Sequence, residues 1–128
     1  MYLLLGAYIP SARGLILPIG AKVETRVHAF RCGEQQLRFL RLVGKRWTLA
    51  ILAALMHGPA RFSELARAVP GLSERVMSER LQELCEARLV DREVDSGPPV
   101  GTRYRLTPLG ERLRPAVESL MEAALVLD

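Results

Sequence analysis

The stretch from Arg61 to Leu89, RFSELARAVPGLSERVMSERLQELCEARL, limits what this chain can fold into more than any other. Two helical patterns of unequal length flank a break at Pro70-Gly71-Leu72. The shorter pattern has Leu65, Ala66 and Val69 as its apolar positions, with Ser63 placed to N-cap it. The longer has Met77, Leu81 and Leu84, with Ser73 placed to N-cap it. A short helix, a turn containing glycine and a longer helix with one apolar stripe form a helix-turn-helix. At about 100° per residue, Met77, Leu81, Leu84 and Arg88 fall in one narrow arc that must face a core, Arg88 lying at the end where it escapes. Arg75, Glu79 and Gln82 point the opposite way, with Val76 and Ser78 on the flanks. Such a face suits base-edge and phosphate contact about as well as plain solvation.

The flanking segments read as support for this unit. From Glu34 a helical pattern with Leu37, Phe39, Leu40, Leu42 and Val43 runs to Gly44. WTLAILAALMHGP then predicts a helix that is apolar almost all round and therefore central, with Trp47 as a core anchor and His57-Gly58-Pro59 as its stop. Behind the helix-turn-helix, residues 89–94 and 102–107 alternate as strands, joined by DSGPPVG. Thr102, Tyr104 and Leu106 share one face, and Arg103 and Arg105 the other. The hairpin is a wing, and its arginines, with Arg92 beside them, predict phosphate contact. Thr107 as N-cap and Pro108 at the first helical position begin a last helix. Its residues Leu113, Val117, Leu120, Ala124 and Leu127 are spaced as a heptad seam, widened by Ala116, Met121 and Leu125. A stripe this apolar at the end of a chain predicts pairing with a second copy.

Composition decides less. The chain of 128 residues suits one domain. Of its net charge of +4, residues 1–31 carry +3, from four Lys/Arg against one Glu. The rest is near neutral, so the case for nucleic acid rests on where the arginines sit. Residues 1–31 recur in proline and glycine with no persistent pattern. They read as a loosely packed or disordered extension, or as residues ahead of the true start, and residues 32–128 as the domain. The apolar beginning has no basic residue before it and is interrupted at Pro10, Arg13 and Pro18, which disfavours a cleaved signal. With no run near the roughly 18–20 apolar residues of a membrane span, the expected location is the cytoplasm. Cys32 and Cys85 stand in unrelated contexts and predict free thiols. No phosphate loop, HExxH or CxxC occurs, and the histidines and cysteines are scattered, so no catalytic residue, metal site or cofactor is expected.

Five motifs carry a resemblance: GKRW (44–47), GPARFSEL (58–65), the segment from Gly71 to Leu84, LVDR (89–92) and YRLTPLG (104–110). In this order and at these separations they resemble the HxlR-type transcriptional regulators, bacterial winged helix-turn-helix proteins related to the MarR group. The resemblance covers about residues 34–120. It implies a dimeric DNA-binding repressor or activator whose first and last helices build the dimer. The chain departs from the family at several places. Cys32 is followed by glycine, where many relatives have Cys-Pro and some use that cysteine as a sensor. Arg88 stands where relatives have glycine, which predicts that the second helix ends differently here. Arg103 is often acidic in relatives, and the tryptophan common in the last helix is absent.

The expected fold is therefore mainly α with a small antiparallel β hairpin (α+β), a winged helix-turn-helix with N- and C-terminal dimerisation helices. The expected function is sequence-specific binding of double-stranded DNA by a homodimer. Arg75, Val76 and Ser78 approach bases, Ser73 and Arg80 touch or position phosphates, and Arg103 and Arg105 hold the flanking backbone. Three alternatives stay open: a winged protein-interaction module without DNA, a regulator that responds to thiol oxidation through Cys32, and, most remote, a thiol enzyme. A small-molecule or oxidant effector is left open too.

Overall fold

In this computed structural model, Tyr8–Pro10, Ile16–Pro18 and residues 26–127 are described. The chain divides into two units, Met1–Gly33 and Glu34–Asp128. In the first, strand β1 (Tyr8–Pro10) pairs antiparallel with β2 (Ile16–Pro18), and a 3₁₀ turn spans Arg26–Ala29.

The second unit begins with α1 (Glu34–Val43) and α2 (Thr48–Leu55), followed by a two-residue strand β3 (Ala60–Arg61). Then come α3 (Phe62–Ala68), α4 (Glu74–Glu86), the hairpin β4 (Val90–Val94) and β5 (Thr102–Leu106), α5 (Pro108–Glu111) and α6 (Arg114–Ala124). The strands form one antiparallel sheet in the order β3-β5-β4. This is the expected winged helix-turn-helix, mainly helical with a small sheet. The third strand is the addition.

The core assembles around α2, whose Ile51, Leu52 and Leu55 are buried against Leu65 of α3, Met77, Leu81 and Leu84 of α4, Leu89, Val90 and Val117. Burying each such side chain stabilises the fold by about 1.5–3 kcal/mol relative to leaving it in water. The stripe read from α4 is the face that packs: Met77 and Leu84 have no exposed surface and Leu81 has 1%.

Four local expectations are corrected. Ser63 does not cap α3; it lies exposed within the helix, which starts at Phe62. Pairing of β3 with β5 holds Arg61 extended, and the Glu64 carboxylate accepts the Arg61 N–H at 2.8 Å. Strand pairing thus sets the cap at Arg61, two residues before the serine. Trp47 is half-buried rather than central, with φ +80 and the Arg46 guanidinium 4.9 Å from its ring centre. The last helix is two pieces. In a continuous helix Pro115 would lack the N–H for the Glu111 carbonyl and its ring would strike that carbonyl. The chain breaks at Arg112-Leu113 and restarts as α6, which ends at Ala124, so Leu127 lies past the helix.

The fourth correction concerns the exit from α4. The helix ends as a glycine would end it, although the residue is arginine: Arg88 has φ +62. Arg88 N–H donates to the Cys85 carbonyl and Leu89 N–H to the Leu84 carbonyl, each at 3.0 Å, the two bonds of a Schellman cap. Thr107 Oγ1 donates to the Arg88 carbonyl at 2.6 Å and Thr107 N–H to the Leu89 carbonyl at 3.1 Å, so the turn is held from outside. A side chain in this left-handed conformation costs roughly 1 kcal/mol. Arg88→Gly should therefore stabilise the protein by about that much and raise Tm by roughly 3–5 °C. A thermal melt showing no rise, or a fall, would refute the strain.

Candidate nucleic-acid interface

The turn between α3 and α4 is set by Gly71, whose φ of +90 a side chain rarely adopts. A Cβ there would lie 3.5 Å from the Trp47 ring, so the tryptophan packs beneath the turn. Ser73 caps α4 as expected, its Oγ accepting the Val76 N–H at 3.2 Å. Beyond the cap, Arg75, Ser78, Glu79 and Gln82 are exposed and Val76 is half-buried. With Met77, Leu81 and Leu84 fixed in the core, the Arg75 face cannot turn inward.

Arg80 has partners within its own chain. Its Nε donates to the Arg46 carbonyl at 3.1 Å and its Nη1 lies 3.2 Å from Glu83 Oε1. Glu83 also accepts from Lys45, and that ammonium, joined by Arg80, holds the carboxyl below its ordinary value against the opposing effect of burial. The group seats the flank of α4 on the connection between α1 and α2. Only 19% of the Arg80 side chain is exposed.

The register of the hairpin sorts its side chains into two faces. Val90–Leu106, Arg92–Tyr104 and Val94–Thr102 are opposite pairs on one face, and Asp91–Arg105 and Glu93–Arg103 on the other. Val90 is buried and Leu106 and Tyr104 pack on the core, so the first face looks inward. On the outer face Arg105 pairs with Glu93 at 2.8 Å and Arg103 with Asp95 at 3.3 Å. Asp95 also takes Arg61 of β3 at 2.6 Å. The hairpin, read from sequence as an arginine cluster, carries three arginines and three carboxylates.

Between α4 and the inner face of the hairpin lies a groove of about 490 Å³ lined by Ser78, Gln82, Cys85, Arg92 and Tyr104. Burial pushes the Cys85 thiol up, with Asp91 adding to the effect, so it is a poor nucleophile. Arg92 is exposed, and among the described residues it is the one hairpin arginine with no carboxylate in ion-pair contact. From the sequence, Arg92 lies beside the wing with no face assigned to it. The alternation Val90, Arg92, Val94 was the signal that could have placed it with the inward side.

Apolar surface is left uncovered elsewhere in this unit. On α1, Leu37, Phe39 and Leu40 are 38–53% exposed, and Leu120 and Met121 of α6 about half exposed. The expected heptad divides: Val117 is buried within its own chain and Leu113 packs on that core, while Leu120, Ala124 and Leu127 are exposed. Cys32 is half-exposed, and no cluster of metal-ligating side chains occurs among the described residues. No helix of the described residues is long and apolar enough to cross a membrane.

A helix-turn-helix with its outward face free and a hairpin beside it defines a winged DNA-binding domain. The family model of the HxlR-like helix-turn-helix matches residues 42–125, and the chain belongs to that family of transcriptional regulators. The HTH-type transcriptional regulator YodB of Bacillus subtilis (strain 168) is 38% identical over 79 residues, 62% of this chain and 70% of that protein. The crystal structure of diamide-treated YodB superposes with a TM-score of 0.65 at 32% identity, covering 77% of this chain and 97% of that one. A MarR-family regulator from Porphyromonas gingivalis W83 superposes with a TM-score of 0.69 at 28% identity, covering 77% and 98%.

Proposed function

We propose that the protein is a homodimeric, sequence-specific DNA-binding transcriptional regulator of the bacterial cytoplasm, with α4 entering the major groove. The observation that carries this reading is the division of α4. Its stripe Met77, Leu81 and Leu84 is buried, which leaves Arg75, Val76 and Ser78 presented near the helix N-terminus. Arg75 suits bidentate contact with guanine, Val76 suits a thymine methyl and Ser78 suits either base or phosphate. Ser73 serves through its cap, which holds the first turn of α4 in place. The exposed apolar side chains of α1 and α6 support a dimer built from these helices. A two-fold dimer would present its two α4 helices to successive major grooves about one helical turn apart. Arg103 and Arg105 lie on the outer face of the wing, where Asp95 and Glu93 pair with them.

The test is binding of the purified protein to DNA from upstream of its own gene, against a scrambled duplex, at two salt concentrations. Selective, salt-sensitive binding with a two-fold stoichiometry is expected. Absence of binding to either duplex would favour the protein-interaction module.

A second reading, control through thiol oxidation, is favoured by the similarity to a YodB structure obtained after diamide treatment. Cys32, two residues ahead of α1, is the thiol it would use. Diamide should then release DNA from the native protein and not from Cys32→Ser. The same response in both would dismiss Cys32 as the sensor.

A further inference from the structure

We infer that the groove between α4 and the inner face of the hairpin is a seat for the sugar-phosphate backbone of DNA. In it Arg92 is the phosphate-binding cation of the wing, in place of Arg103 and Arg105. The inference rests on the DNA-binding reading and adds to it which cation holds the strand.

Three observations converge. The groove of about 490 Å³ is bounded on one side by Ser78 and Gln82 of α4 and on the other by Arg92 and Tyr104 of the hairpin, with Cys85 in the same lining. A strand that passes from α4 to the wing must cross it, because these two elements form its walls. Its lining is donor-rich and suited to a phosphodiester: a guanidinium, two hydroxyls and an amide. Gln82 Nε2 donates one bond to Glu86 Oε1 at 3.1 Å, which fixes the amide along the wall.

The second observation is charge balance. Arg103 faces Asp95 at 3.3 Å and Arg105 faces Glu93 at 2.8 Å. A phosphate approaching either also meets the carboxylate, so the net cation it gains is small. Counterion release counts phosphates neutralised by net positive charge, and these pairs contribute little to it. Arg92 brings no paired carboxylate among the described residues. Its cross-strand neighbour is Tyr104, and the nearest acids on its own strand, Asp91 and Glu93, belong to the opposite face.

The third is position. Opposite pairing of Arg92 with Tyr104 puts the guanidinium on the face that packs toward α4. Arg103 and Arg105 project away from it.

Two measurements on the full chain test this. In fluorescence anisotropy with the upstream duplex and a scrambled duplex, Arg92→Gln should weaken binding to both by several-fold to about tenfold and lower the salt slope by about one. Arg103→Gln should change affinity less than about twofold and leave the slope as it was. If Arg92→Gln loses no more than Arg103→Gln, the seat is not there. If the native protein binds neither duplex, the DNA reading falls and this inference with it, so the two failures are told apart. The second measurement needs no change to the groove. In a Cys32→Ser chain, methyl methanethiosulfonate should modify Cys85 at least about fivefold more slowly when the protein is saturated with DNA, because the strand covers the groove. An unchanged rate in the saturated complex would overturn the assignment.

Discussion

Replacing Gly110 by alanine destabilises the protein by about 3 kcal/mol, at the upper end of what overpacking a close contact costs. A Cβ on Gly110 would lie 2.2 Å from the Leu89 carbonyl oxygen, 3.1 Å from its carbon and 3.3 Å from Leu106 Cδ2. The contact at 2.2 Å is with backbone, which cannot swing aside as a long side chain can. That backbone is committed elsewhere: the Leu89 carbonyl accepts from Thr107 N–H at 3.1 Å, and Leu89 N–H closes the cap of α4. Gly110 N–H in turn donates to Thr107 Oγ1 at 3.0 Å. Relief of the clash must therefore loosen the exit of α4, the root of β4 or the first turn of α5. A fall in Tm of roughly 10 °C is expected, with DNA binding lost at the same temperature as the fold. A melting curve within about 2 °C of the native protein's would show that the close approach is not as drawn.

The second large effect concerns recognition and leaves stability alone. Arg75→Ala should lower affinity for the preferred duplex by about 10- to 100-fold, the worth of roughly 1–3 kcal/mol for one bidentate base contact. Affinity for scrambled DNA should change much less, so the preference is what disappears. Arg75 is exposed and its place on α4 is fixed by the Ser73 cap on one side and the buried Met77 on the other. Alanine keeps the helix and removes only the reach into the groove, and Tm should stay within about 1 °C. Equal losses on both duplexes would make Arg75 a backbone contact. No loss on either would place the reading face elsewhere on α4.

Much of this was legible in the linear chain because it is written in local periods. The stripe Met77, Leu81, Leu84 repeats at the helical period, so it identified the buried side of α4 and, by subtraction, the side carrying Arg75 and Ser78. Ser73 and Thr107 announced their caps correctly, and alternation located both long strands of the wing. Other local signs compete with one another. Ser63 looked like a cap, but strand pairing at Arg61 started α3 earlier. Pro115 was visible within the terminal heptad, and its missing N–H divides what the heptad alone made continuous.

Other features depend on residues distant in the chain, and no local pattern marks them. Strand β3 is two residues long and has no period to show; it exists because Tyr104 and Arg103 of β5 offer it partners. Arg61 and Asp95 meet at 2.6 Å across the sheet. Arg80 is drawn to the Arg46 carbonyl. The hairpin arginine that has no carboxylate partner among the described residues cannot be told from the paired ones by counting arginines.

The sequence by itself determined the helix-turn-helix, the wing and the exposed face of α4, because caps and hydrophobic periods act between neighbours in the chain. Only the tertiary structure decided that Arg88 must adopt a glycine's conformation, that side chains of α1 and the end of α6 are left partly exposed, and that, among the described residues, Arg92 rather than Arg103 or Arg105 stands unpaired beside α4. Strand register and long-range ion pairs settle those, and both are properties of segments brought together in space.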